Sequence, residues 1–208
     1  QNVNLNVPFE NTQAVFNLID GFYSNIEIPE GLRISLWSIE YKGSSEKATH
    51  VLNFAGSKEN LAKFESRKLS PEWDAYLSRL NSLTDRDGFA ITAGVTLVRY
   101  NLDKWQETIA QSHQWKVKKP LKFITAFANL MSVFGDSSGY VSIGQTTHGV
   151  EHGETHYIYA TFPDLVAALD FGNLASQEES NAVIEWLDAT KDEEYTRSIT
   201  RVMLKSWE

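Results

Sequence analysis

The sequence predicts an α+β fold of two similar halves. Each half runs β-α-β-β-α-β, and their antiparallel sheets, each with helices on one face, pack against each other. Three observations predict it. Thr49-His50, opening an apolar stretch, recurs as Thr155-His156, 106 positions later. At the same offset Ser70 matches Ser176, Glu72 matches Glu178, Thr84 matches Thr190, and Leu97-Val98-Arg99 matches Met203-Leu204-Lys205. A shared offset over so long a stretch marks two copies of one structural unit. The last strand of each half is also apolar on both faces. Val95, Leu97, Ile199 and Met203 fall on one face and Val98, Val202 and Leu204 on the other, so each sheet needs a cover on both sides.

In the first half, Val3, Leu5, Val7 and Phe9 alternate with Asn2, Asn4 and Asn6, the period of a half-buried strand. Asn11 or Thr12 then caps a helix that buries Val15, Phe16, Leu18, Ile19, Phe22 and Tyr23. A second strand follows from Leu32 to Tyr41, a polar turn from Lys42 to Glu46, and a third strand from Thr49 to Ala55. The stretch from Lys58 to Leu83 reads as helix, restarted at Ser70 with Pro71 in the first helical position. The fourth strand is Phe89 to Tyr100, rich in Ile, Val and Thr.

Residues 101–112 form a linker, with a short helix begun by Asp103, so that the halves are 1–100 and 113–208. In the second half, His113 to Lys118 alternates as a strand, and Pro120 opens a helix apolar almost all round, which predicts deep burial. Tyr140 to His148 and Thr155 to Phe162 pair as a hairpin across Gly149 to Glu154. Gly135 to Gly139 is a turn and not a phosphate cradle, because a strand follows where a helix is needed. Asp164 to Ala189 is helical and restarts at Ser176-Gln177-Glu178-Glu179. Thr196 to Trp207 is the last strand.

Composition narrows the function. A net charge of -8 argues against a nucleic-acid partner, which needs clustered Lys and Arg. No apolar run is long enough for a membrane span. The absence of cysteine excludes thiol nucleophiles and Cys-zinc sites. The chain starts with Gln1 rather than Met, which fits a cleaved signal peptide and equally a trimmed chain; a chain without cysteine suits an oxidising compartment and slightly favours a periplasmic or secreted location over the cytoplasm. There is no nucleophile elbow, phosphate loop or dinucleotide fingerprint.

The element order and the self-similarity, from residue 3 to residue 207, resemble the dimeric α/β-barrel superfamily, in which two ferredoxin-like units join their sheets into a barrel. Here one chain would supply both halves as a fused pseudo-dimer, which implies a monomer. Members include antibiotic-biosynthesis monooxygenases, stress-responsive barrel proteins, muconolactone isomerases, polyketide cyclases and haem enzymes such as chlorite dismutase. The resemblance implies a protein that binds a small apolar or aromatic molecule. As an enzyme it would be a cofactor-independent monooxygenase, an isomerase or a cyclase. The alternatives are a non-catalytic barrel filled by its own side chains, and a metal-binding protein. A haem role would need an axial ligand on a helix, and no histidine falls in a predicted long helix.

Three sets of residues could carry chemistry. His50 and His156 hold equivalent positions at the start of the third strand of each half and could serve as general acid or base. The competing reading is a structural hydrogen bond shared because the fold is shared. Glu40, placed across the first hairpin from His50, would supply an orienting partner. In the segment from His148 to His156, a turn centred near His152 would set His148 and His156 opposite each other. With His152, Glu151 or Glu154 they could hold a zinc-like ion. Trp37, Asn53, Tyr157, Tyr159 and Arg201 could line an aromatic ligand pocket with a few polar handles.

Overall fold

A computed structural model describes residues 1–135, 139–150, 152–170 and 173–208. The core of the expected Gly135–Gly139 turn, and Glu151, lie outside the described residues. The element order is β1 (Asn2–Asn6), α1 (Thr12–Tyr23), β2 (Arg33–Lys42), β3 (His50–Ala55), α2 (Lys58–Glu65), α3 (Pro71–Leu83) and β4 (Asp85–Tyr100), followed by β5 (Ile109–Lys116), α4 (Pro120–Phe134), β6 (Val141–His148), β7 (His156–Phe162), α5 (Leu165–Leu169), α6 (Gln177–Thr190) and β8 (Glu194–Trp207). The β-α-β-β-α-β order therefore occurs twice, with the second helical region of each half broken in two. The antiparallel sheet runs β1-β3-β2-β8-β5-β7-β6-β4 and closes on itself as an eight-stranded barrel. No helix among the described residues is long and apolar enough to cross a membrane.

Two compact units share this sheet: residues 1–40, 44–92 and 202–208 in one, residues 41–43 and 93–201 in the other. The long strands β4 and β8 each belong to both. The first part of β4 pairs with β1 (Val3 opposite Ile91), and its second part with β6 (Arg99 opposite Ser142).

The first unit is filled by its own side chains. In β3, His50, Leu52 and Phe54 share the helix-facing side, and Leu52 and Phe54 join Leu5, Ile34 and Leu36 in a core closed by Tyr23, Phe64, Trp73 and Tyr76. Phe22 stacks on Tyr76 with ring centroids 4.2 Å apart. Trp207, at the end of the chain, comes within 5.5 Å of Tyr23, and its indole N–H donates to Asp20 Oδ1 at 3.1 Å and Ser24 Oγ at 3.2 Å. The helix restart at Ser70 forms as expected, its Oγ accepting the Trp73 N–H at 3.2 Å.

In the second unit α4 packs along α6, with Phe123, Ala126, Phe127 and Met131 buried from α4 and Trp186 and Thr190 from α6. Ser176 Oγ accepts the Glu179 N–H at 3.1 Å, so the second restart is capped like the first. Several boundaries differ from the sequence reading. β5 begins at Ile109, four residues before the expected His113, because Ile109 and Ala110 are buried and pair with Phe162 and Thr161. β4 likewise starts early, at Asp85. Leu121 is 80% exposed, so α4 is not buried all round.

Candidate functional site

The repeated Thr-His pair makes the same local device twice. Thr49 N–H donates to Leu5 O at 2.9 Å, and Thr49 Oγ1 accepts the Val7 N–H at 2.9 Å. Thr155 N–H donates to Trp115 O at 2.8 Å, and Thr155 Oγ1 accepts the Val117 N–H at 2.8 Å. In both copies the threonine hydroxyl lies 2.9 Å from Nδ1 of the next histidine. Each pair thus ties the end of one strand to its neighbour, and His50 and His156 are both buried on the helix-facing side. Glu40 does not meet His50. Ser38 stands opposite His50, and exposed Glu40 accepts the Ser38 hydroxyl instead.

Registers identify where the copies diverge. Leu5 lies opposite His50 and Val3 opposite Leu52; Trp115 lies opposite His156 and His113 opposite Ile158. Trp115 therefore stands where the first unit has Leu5, and His113 where it has Val3. At the offset of 106, Tyr195 replaces Phe89 and Glu154 replaces Ala48. On the helix-facing side of the second unit, these exchanges convert an apolar row into a polar aromatic one. The Trp115 ring is 5.0 Å from Tyr195, 5.5 Å from Phe123 and 6.1 Å from Trp186. Phe123 lies 6.0 Å from His156. His113 Nδ1 is 3.4 Å from the Tyr195 hydroxyl. Burial pushes the pKa of His113 below the ordinary imidazole value. His156 is lowered too, its burial outweighing the opposing charge of Glu193. Both rings are thus harder to protonate than a solvent-exposed imidazole.

Glu154 is buried at the edge of this row. One oxygen accepts the His152 N–H at 2.8 Å, and the other lies 3.3 Å from Arg197 Nε. Burial raises its pKa, but the N–H groups of its own residue and of His152, with Arg197, outweigh that and hold the carboxyl below its usual range. A groove of about 460 Å³ runs between α4 and α6, over Ala126, Leu130, Val133, Ala182 and Trp186. No histidine lines it directly; its floor, Trp186, packs at 5.1 Å on Phe123, which packs on His156.

The remaining expected residues divide between the units. Trp37 and Asn53 lie in the first unit on the face away from its helices. Trp37 Nε1 donates to Ser35 Oγ at 2.7 Å, and Asn53 Nδ2 to Asn2 Oδ1 at 2.7 Å. Tyr157, Tyr159 and Arg201 lie in the second unit. The Arg201 guanidinium sits 5.1 Å from the Tyr159 ring centroid. The Tyr157 hydroxyl is 3.4 Å from Thr96 Oγ1, and its ring lies over Gly144, where a Cβ would come within 2.1 Å of it. Burial raises the Tyr157 pKa.

The histidine hairpin differs from its expected register. Gln145, not His148, stands opposite His156, because the connection is longer and turns at Gly149 and Gly153 with φ of +68° and +82°. His148 is exposed and contacts Thr147 Oγ1 at 2.9 Å. His148, His152 and His156 do not converge, and no group of three metal-ligating side chains occurs among the described residues. The site does not fit haem either, since none of α1 to α6 carries a histidine that could serve as an axial ligand.

No protein-family model and no curated protein sequence matches the chain. Solved structures do. An anthrone oxidase-like protein superposes with a TM-score of 0.65 at 13% identity, covering 99% of this chain and 90% of its own. A candidate monooxygenase from Lactobacillus acidophilus NCFM gives 0.61 at 13% identity, covering 99% and 93%. Another, from Fusobacterium nucleatum subsp. nucleatum, gives 0.65 at 10%, covering 100% and 93%. At these identities the likeness establishes the fold alone: this chain has the fold of the dimeric α/β barrels, with all eight strands of the barrel in one polypeptide.

Proposed function

We propose that the protein binds an aromatic small molecule in the second unit, between its sheet and helices α4 and α6, and oxidises it without a cofactor. The observation that carries this reading is the replacement of Val3, Leu5 and Phe89 by His113, Trp115 and Tyr195 at matching positions of the repeat. Leu5 and Val3 pack in the first core, where polar atoms are not needed; an indole and an imidazole at those positions, with the half-exposed Tyr195 hydroxyl beside them, suit a ligand with polar handles. The groove over Trp186 supplies the approach to this layer.

The anthrone oxidase-like and monooxygenase neighbours favour an aromatic ketone with an acidic methylene group. Neutral His113 accepts a proton from that methylene, and Tyr195, beside Nδ1, holds the ring in place. The resulting carbanion passes one electron to dioxygen, and the radical pair combines at the same carbon to form a peroxide. The imidazolium returns its proton as the peroxide loses water and leaves a carbonyl. Dioxygen is the oxidant, and each methylene yields one carbonyl and one water. His156 lines the layer opposite Trp115, whereas His50 serves in strand anchoring. Tyr157, Tyr159 and Arg201, on the other face, support the sheet from beneath. The two copies are residues 1–100 and 109–208, the expected linker 101–112 shortening to 101–108 because β5 begins at Ile109, and the protein is a monomer.

The test is oxygen uptake with anthrone and the appearance of anthraquinone absorbance. His113→Phe should lower the rate at least tenfold while His50→Phe leaves it within about twofold. Quenching of tryptophan fluorescence by anthrone without oxygen uptake would indicate a binding protein instead. The absence of both would overturn the reading.

A further inference from the structure

The indole N–H of Trp115 is buried and has no acceptor among the described residues. Other buried indoles of the chain are served: Trp37 Nε1 by Ser35 Oγ at 2.7 Å, and Trp207 Nε1 by Asp20 Oδ1 at 3.1 Å. A buried donor without a partner costs free energy that a hydrogen bond would recover. Leucine fills the corresponding position of the first unit without that cost, so packing does not require an indole there. The ring is nevertheless fixed by Phe123, Trp186 and Tyr195 on its sides and by the pairing of its backbone with His156. It is a rigid donor held in an apolar layer.

From this we infer that Trp115 is the specificity-determining donor of the site, and that its N–H takes an oxygen acceptor on the ligand, a ring carbonyl or phenolate. The inference rests on the proposed aromatic site in the second unit. It narrows the ligand to a planar aromatic bearing an oxygen acceptor and disfavours an unsubstituted hydrocarbon of the same shape. The same bond would help in the proposed reaction, since a donor at a ring carbonyl stabilises the negative charge that collects there once the methylene proton has left.

Two ligands of equal shape separate the donor from the ring that carries it: 9,10-anthraquinone, which has acceptor oxygens, and anthracene, which has none. Binding is read by fluorescence titration of the full chain and of Trp115→Phe, which keeps an aromatic ring and removes the donor. The expected result is anthraquinone binding about five- to tenfold weaker in the variant, with anthracene unchanged. A second readout uses the wild-type protein with 15N-labelled indoles. The Trp115 Nε1–H resonance should move on adding anthraquinone and stay in place with anthracene. Equal weakening of both ligands in the variant, or an unmoved resonance at saturating anthraquinone, overturns the donor role and leaves the site standing. If wild-type protein binds neither ligand, the site itself fails and the inference falls with it.

Discussion

A histidine desolvated in a folded protein is harder to protonate than the same residue in the unfolded chain, and His113 and His156 are both in that position. The unfolded chain then takes up protons first. Stability is complete above the unfolded pKa of about 6.5 and declines as the pH falls from there toward the lower folded values. Thermal unfolding between pH 7.5 and 5.5 should show a falling midpoint, and His113→Phe should flatten that fall; an unchanged slope in the variant would remove His113 as a contributor. Catalysis should follow the same sign, with an acid limb below pH 6.5 because the base must be neutral. At this scale the sequence was least legible. His50 and His156 stand out in the sequence because they repeat, yet their shared bond to Thr49 and Thr155 is what the two copies have in common. His113 and Trp115 read only as an alternating strand. Their significance depends on which residues of the first copy they replace, and that alignment rests on strand register, which a sequence offset of 106 does not give for β1 and β5.

At the scale of elements, local chemistry was readable and register was not. The two helix restarts were visible because a cap acts on N–H groups three residues away, as Ser70 does on Trp73 and Ser176 on Glu179. Ser176→Ala should therefore cost about 1 kcal/mol. The β6–β7 hairpin was visible too, but the partner of His156 was not, because two positive-φ glycines lengthen the turn and Gln145 takes the place expected for His148. The repeated threonines give a sharper test. Thr49 Oγ1 and Thr155 Oγ1 each accept a strand-end N–H, from Val7 and Val117 respectively. Thr49→Val and Thr155→Val keep the shape and strand a backbone donor. Each should cost about 1–2 kcal/mol in urea denaturation, and by similar amounts in the two copies. A cost in one copy alone would show that the device is structural in that copy only.

For the whole molecule, the repeat marks out two copies of one unit, but the copies and the compact units are not the same pieces of chain. Similarity at a fixed offset reports ancestry, whereas compactness depends on which strands pair. The first unit takes its last strand segment from residues 202–208, at the far end of the sequence. That segment contributes Trp207, packed on Tyr23 and hydrogen-bonded to Asp20 and Ser24, and Lys205, which pairs with Asp20. A fragment of residues 1–112 contains the whole first copy and lacks all of these. Removing a buried tryptophan alone costs about 3–5 kcal/mol, a large share of the stability of a small domain. The fragment is therefore expected to show no cooperative thermal transition as a monomer. A synthetic peptide of residues 194–208 should restore one, as should self-association in which the equivalent β4 segment of a second copy takes the empty strand position. Light scattering and circular dichroism on the fragment decide the matter. A monomeric fragment that melts cooperatively would mean that the first copy folds without the strand end it borrows.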